Sequence, residues 1–133
     1  LGLNNNIMQH SFKPLPDYLD ILPSNIHGKG LFAVKNLEKD FLLPITHIVN
    51  PYNRKELFRT CVGGFINHSQ EDPNVIMVVC DYSGATKTEK YEFNPQAYRF
   101  KTIRDIKEGE ELLIDYRYTP CLDICCGEIL EFK

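Results

Sequence analysis

No apolar run in this 133-residue sequence approaches the roughly 20 residues that a membrane-spanning helix needs. No charged-then-apolar leader opens it either. The first residue is Leu, so the sequence is expected to begin inside a longer or processed product. An excess of positive charge is also missing: 15 Lys and Arg face 18 Asp and Glu, for a net charge of −3. That argues against direct nucleic-acid binding, which usually needs a basic face. It is compatible with a basic protein partner such as a lysine-rich tail, although so small a charge steers weakly. Cysteine is too irregular for a disulfide framework, with five residues and no paired spacing. A reducing, intracellular compartment fits better. There is no internal repeat and no heptad pattern. The length suits one domain with one modest core, and 43% hydrophobic with 25% charged residues is ordinary for a globular chain.

What is present reads as many short strands. The first dozen residues, with Asn4-Asn5-Asn6, show no periodicity and read as a weakly ordered arm. Tyr18 to Leu22 alternates as a strand does. Pro23-Ser24-Asn25 interrupts it and His27-Gly28-Lys29-Gly30 forms a turn, after which Leu31 to Val34 resumes as strand. Phe41 to Leu43 is expected as strand, with Pro44 marking an edge or a bulge before Ile45 to Val49. Asn53 to Cys61 is the best short-helix candidate, with Leu57 and Phe58 among charged residues. Val75 to Cys80 is a β-branched run and a buried strand. Ser83 to Gln96 is a polar hairpin loop around Tyr91-Glu92-Phe93. Tyr98 to Ile103 alternates aromatic and polar residues as a half-buried strand, and Leu112 to Ile114 is a last short strand after a turn at Lys107 to Glu110. Close turn spacing of this kind points to a mainly-β domain.

Three segments stand out: Gly28-Lys29-Gly30-Leu31-Phe32-Ala33, Gly63-Gly64-Phe65-Ile66-Asn67-His68-Ser69 and Glu110-Glu111-Leu112-Leu113-Ile114-Asp115-Tyr116. The last two set polar groups against apolar runs where a surface loop would need none. Each piece alone is common. In this order and at this spacing they resemble the signature of SET-domain protein lysine methyltransferases, over about Leu22 to Tyr118. The compactness is similar to that of viral and microbial SET proteins. The resemblance implies several small curved sheets with a knot-like C-terminal threading, one or two short helices, and the Asn-His-Ser and Asp-Tyr segments side by side. General topology rules would not suggest that, since threaded chains are rare. On this reading residues 1–14 are the arm, 15–118 the SET domain, and 119–133 a C-terminal extension closing over the site.

The implied activity is transfer of methyl groups from S-adenosyl-L-methionine to a lysine side chain, in a histone tail or another protein, in the cytoplasm or on chromatin in the nucleus. Lysine attacks as the neutral amine, yet its ordinary pKa is about 10.4. A narrow aromatic channel desolvates the ammonium, and a nearby sulfonium cation pushes the same way. Such a site needs aromatic walls, a few oriented oxygens and in-line geometry rather than a strong base. The resemblance places Gly28, Lys29, Gly30 and Leu31 against the cofactor's methionine part, where absent side chains let backbone approach. It places Asn67 on the amino-acid portion, and His68 on adenine through its backbone. Tyr116 is the expected catalytic residue, its hydroxyl at the transfer point, and Tyr118 stacks near adenine or closes the channel. Ile114, Tyr98 and Met77 are expected channel walls, and Tyr52 is a candidate for a peptide groove. Because Ile114 is apolar and holds no water, di- or trimethyl product is expected.

Plainer readings exist from the residues alone. Gly28 to Gly30 serves as a β-turn, Asn67 and Ser69 as caps on backbone groups, and Tyr116, Tyr98 and Met77 as core. The chain also departs from the family. The segment between Gly30 and Asn67 is short, and Pro44-Ile45-Thr46-His47 replaces a stretch that usually carries a channel tyrosine. These departures keep open a second reading, a catalytically silent SET module that binds a lysine-bearing partner. The short chain leaves little surface for a peptide groove of its own, which admits a homodimer. Many family members carry a cysteine zinc knot, but here Gln70 occupies the place of one ligand and only Cys121, Cys125 and Cys126 follow Tyr116. Structural zinc takes four ligands, so no metal is expected in the monomer.

Overall fold

A computed structural model describes residues 15–86 and 95–118. Eight strands follow in order: β1 (Leu19–Pro23), β2 (Lys29–Ala33), β3 (Leu42–Val49), β4 (Leu57–Arg59), β5 (Asn67–His68), β6 (Val75–Cys80), β7 (Ala97–Thr102) and β8 (Leu113–Ile114). A 3₁₀ turn over Tyr116–Tyr118 comes last. β1 and β2 pair antiparallel as a small sheet, and the other six form a mixed sheet in the order β4-β3-β7-β6-β8-β5. The domain is mainly β, as its short alternating segments foretell. The polar arm, the Tyr91–Phe93 segment and the cysteines after Tyr118 lie outside the described residues.

The β1–β2 hairpin forms because Leu19, Ile21, Leu31 and Ala33 recur at period two and share one face. Its turn is closed by the Ser24 amide donating to the Gly28 carbonyl at 2.8 Å, with Gly28 at φ +47°. Pro44 does not end its strand. β3 runs between β4 and β7, and the pairing with β7 shifts register between Leu42 and Ile45 and again before His47. A bulge at that place leaves residues unpaired, which suits a residue without an amide hydrogen.

The helix expected over Asn53 to Cys61 is not formed. Leu57–Arg59 is strand β4, paired with His47–Val49. Leu57 is buried and Phe58 exposed, which is strand alternation rather than a helical stripe. Ahead of it, Asn50 Oδ1 accepts from the Tyr52 amide and Asn53 Oδ1 from the Lys55 amide, local bonds that compete with a helix. Among the described residues the 3₁₀ turn is the sole helical element.

The core gathers Leu19, Leu31, Leu43, Tyr98, Phe100, Ile106 and Leu112, all at most 1% exposed. Full burial of such side chains contributes about 1.5–3 kcal/mol each before entropy is counted. β7 follows its alternation, with Tyr98, Phe100 and Thr102 at 0% exposure on one face and Arg99 and Lys101 only half-buried between them.

The site depends on where β8 enters. It lies parallel to both β5 and β6, with Asn67 opposite Leu113, His68 opposite Ile114 and Val75 opposite Ile114. Two-residue strands hold little by themselves. Asn74, 1% exposed, supplies the rest. Its Oδ1 accepts from the Leu113 amide at 2.7 Å, its Nδ2 donates to the Glu111 carbonyl at 2.9 Å, and its own amide donates to the Leu113 carbonyl. The hairpin joins through the Leu112 amide donating to the Leu31 carbonyl and the Ala33 amide to the Glu110 carbonyl.

Candidate active site

Asn67 leaves β5 pointing at the β1–β2 turn. Its Nδ2 lies 2.7 Å from Glu111 Oε2, 3.1 Å from Ser24 Oγ, 3.2 Å from the His27 carbonyl and 3.3 Å from the Lys29 carbonyl. Ser24 Oγ in turn donates to Glu111 at 2.8 Å. One cluster therefore joins the glycine turn, the Asn-His-Ser segment and the acidic end of the Asp-Tyr segment. Gly30 is required here for space: a Cβ would collide with the Glu111 carboxylate and lie 3.1 Å from Asn67 Nδ2. Gly28 is required for its left-handed φ, with open space beside it. Lys29 is exposed and offers its carbonyl, while Leu31 is fully buried with its carbonyl taken by Leu112.

His68 and Tyr116 form the second half. The Tyr116 amide donates to His68 Nδ1 at 3.0 Å, which fixes the neutral ring's proton on Nε2. The two rings lie 4.9 Å apart, tilted by 38°. The Tyr116 hydroxyl donates to the Ile66 carbonyl at 2.7 Å. Burial pushes the phenol's pKa up, against a smaller opposing pull from Arg59, so the hydroxyl stays protonated at neutral pH. Next to it, hydrogen bonds from Arg117 hold the Asp115 carboxyl below its ordinary range. Tyr118 closes the 3₁₀ turn.

The expected channel walls divide. Ile114 and Met77 line one pocket of about 400 Å³ beside β6 and β8, together with Gln70, Ile76, Asp115 and Arg117. Neither Tyr98 nor Tyr116 is on that wall. Tyr98 lies deeper, fully buried, opposite Val79 and His47 in the sheet. Tyr52 projects into solvent at 96% exposure.

The altered stretch contains a residue the sequence reading passed over. His47 is buried, and burial first and the Arg59 charge second lower its pKa to about 4. It is neutral at pH 7, with Nδ1 paired to Thr46 Oγ1 at 2.9 Å. Gly63 packs directly on the Thr46 carbonyl, and a Cβ there would lie 3.0 Å from His47 Cε1. Arg59 thus acts on both His47 and the Tyr116 phenol. Ser24, Asn74 and Glu111 were missed as well. The signal for Glu111 was the doubled acid directly before an apolar strand.

A SET-domain family model matches residues 9–117. The chain belongs to the SET domain family. Members of that family are typically protein-lysine methyltransferases that use S-adenosylmethionine. Among solved structures this SET domain is similar to a Plasmodium falciparum protein named a "putative histone methyltransferase". The identity is 19% and the TM-score 0.56, covering 80% of this chain and 99% of that one. That likeness supports the fold. No curated protein matches the sequence significantly. No helix among the described residues is long and apolar enough to cross a membrane.

Proposed function

We propose that this SET domain is an S-adenosylmethionine-dependent protein lysine N-methyltransferase. The observation that carries the proposal is the convergence at β5 and β8. Asn67 reaches the Gly28–Gly30 turn while its neighbour His68 holds the Tyr116 backbone. The residues fit the cofactor: a turn without side chains at Gly28 and Gly30, oriented acceptors around Asn67, and a ring pair at His68 and Tyr116. Gly28, Lys29, Gly30, Leu31, Asn67, His68, Tyr116 and Tyr118 would hold it. S-Adenosylmethionine supplies, when bound, an electrophilic methyl group on a sulfonium sulfur.

The chain's own part is to bind, orient and keep water out. Tyr116 donates its hydroxyl proton to the Ile66 carbonyl, and a hydroxyl oxygen that donates its proton still has lone pairs able to accept from an amine N–H. An acceptor there orients the substrate nitrogen lone pair, and orientation of this kind supplies much of a displacement's rate. The half-buried setting favours the neutral amine by desolvation. Ile114 and Met77 are apolar side chains that hold no water, so where they border the channel a methylated amine stays free to rotate, which supports di- or trimethyl product. A lysine-rich partner, a histone tail among them, suits the slightly acidic chain. A homodimer would complete the peptide groove that so short a chain lacks.

The altered Pro44–His47 stretch favours a second reading, a SET module that binds a lysine-bearing partner without catalysis. Incubation of peptide panels and whole lysates with methyl-labelled S-adenosylmethionine separates the two. Labelled bands that disappear with Tyr116→Phe support the enzyme. No label in any fraction, with peptide binding retained, supports the silent module.

A further inference from the structure

Four acceptors crowd one donor where β5 meets the hairpin turn. The Asn67 amide nitrogen carries two hydrogens, yet it faces the Glu111 carboxylate, the Ser24 hydroxyl oxygen and the carbonyls of His27 and Lys29. Ser24 adds one more donor, already directed at the two Glu111 oxygens at 2.8 and 2.9 Å. The Ser24 oxygen also accepts from the Ile26 amide at 2.9 Å, which leaves the Glu111 carboxylate and the two backbone carbonyls short of donors.

The two acids of the doublet are treated differently. Glu110 pairs with Arg104 at 3.1 Å. Glu111, half-buried, has no cationic partner among the described residues. Its backbone is fixed on both sides, by the Asn74 amide on its carbonyl and by a bridge to Phe32. The carboxylate is thus delivered to one place, over the missing Cβ of Gly30. The complement of such a ring is a donor-only cation. A primary ammonium has three donors and no acceptor, and its bonds to a carboxylate are about twice as strong as neutral ones.

We propose that Glu111 is a positioning residue that receives the α-ammonium of the cofactor's amino-acid end and selects for ligands carrying that group. This rests on the cofactor reading given above. Ser24 and Asn67 orient the carboxylate, and the His27 and Lys29 carbonyls complete the ammonium's shell. Glutamine at position 111 keeps the size and one acceptor but removes the charge.

Calorimetric titration with two ligands tests this. S-Adenosylhomocysteine carries the amino-acid end; 5′-methylthioadenosine lacks it. Glu111→Gln is expected to weaken S-adenosylhomocysteine by about tenfold or more, as expected for loss of a charged hydrogen bond, and to leave 5′-methylthioadenosine unchanged. Equal losses for both ligands would show that Glu111 only holds the turn, and an unchanged S-adenosylhomocysteine affinity would also overturn the proposal. Wild-type protein that binds neither ligand overturns the cofactor reading itself and this inference with it. If Glu111→Gln does not fold, wild-type protein is titrated with the deaminated analogue of S-adenosylhomocysteine. An analogue binding as tightly as its parent contradicts the assignment; one about tenfold weaker upholds it.

Discussion

The junction around Asn67 and the corner around His47 are built in opposite ways. At the junction, side-chain hydrogen bonds tie together residues 43, 44 and 87 positions apart: Asn67 with Ser24, Asn67 with Glu111, and Ser24 with Glu111. At the corner, strand pairing and tight packing do the work, with His47 opposite Arg59 and Gly63 pressed on the Thr46 carbonyl. The junction buries Asn67 but leaves Ser24 and the Glu111 carboxylate half-open to solvent. The corner keeps its one titratable ring neutral. The first suits ligand recognition, because its groups are oriented and still partly accessible. The second suits a fixed wall. The family motifs fall on the first, and the chain's departure from them falls on the second.

The sharpest way to test that division is Tyr116, which sits between the two. If its hydroxyl orients the substrate amine, Tyr116→Phe lowers turnover by roughly a hundredfold or more, the scale of losing one preorganised transition-state contact. Cofactor affinity stays nearly unchanged, because the contact counts mainly in the transition state. Steady-state kinetics on a verified substrate, with calorimetry beside it, checks both halves. Turnover close to wild type would leave Tyr116 a core residue.

The corner makes a prediction in pH. His47 is held at about 4, below its ordinary 6.5, chiefly by burial. The unfolded chain then binds more protons than the folded one between those values. Stability from this group is complete above pH 6.5 and is lost as pH falls towards 4, by up to about 3 kcal/mol. Asp115 and Glu110 also have lowered pKa values, Asp115 through Arg117 and Glu110 through the Lys107 amide and Arg104 against the larger opposing effect of burial. Their acid loss is common to wild type and His47→Gln. Urea unfolding at pH 7 and pH 4.5 should show a steeper acid loss in wild type. Parallel losses in the two proteins would mean that His47 charges freely.

A smaller effect is expected at Asn74, which anchors β8 to the junction. Asn74→Ala strands the Leu113 amide and the Glu111 carbonyl, and each unsatisfied buried group costs about 1–3 kcal/mol. Both stability and cofactor affinity should fall, since Glu111 loses its backbone support. A stability loss with full ligand affinity would separate β8 from the site.

The fold was legible wherever apolar period and turn chemistry agreed. β1, β2, β6 and β7 lie within a residue or two of their sequence-based positions, and the bulge at Pro44 follows from its missing amide hydrogen. β4 was not legible, because a three-residue strand and a short helix share the same apolar pair, Leu57 and Phe58. The meeting of the Asn67–Ser69 segment with the Asp115–Tyr116 segment was foreseen through the family resemblance alone. A strand as short as β5 carries no periodic signal, while β8 falls within the short strand expected over Leu112 to Ile114. Glu111 was hidden for a related reason. Its partners are Ser24 and Asn67, and no local pattern announces a contact 87 positions away. Of the expected channel walls Ile114 and Met77 line a pocket and Tyr98 is fully buried, because alternation places all three on one sheet face without saying which of them borders open space.

The mildest change concerns product. Ile114 and Met77 share a pocket, so Ile114→Tyr is expected to shift di- or trimethyl product towards monomethyl with little change in initial rate. Mass spectrometry of the product peptide over time reads this. A wild-type reaction that stops at one methyl group removes Ile114 from the channel. If Ile114 instead serves only the core, the tyrosine overpacks it and costs roughly 1–3 kcal/mol without altering the product.

Asn67 offers the most direct test of the central claim, that the junction is a cofactor site and not a capped turn. Titration of S-adenosylhomocysteine into wild type and Asn67→Ala should give one site per wild-type chain and an affinity lower in the variant by about 1–3 kcal/mol, the cost of stranding buried polar partners. Equal affinities, or no binding to the wild-type protein at all, would contradict it.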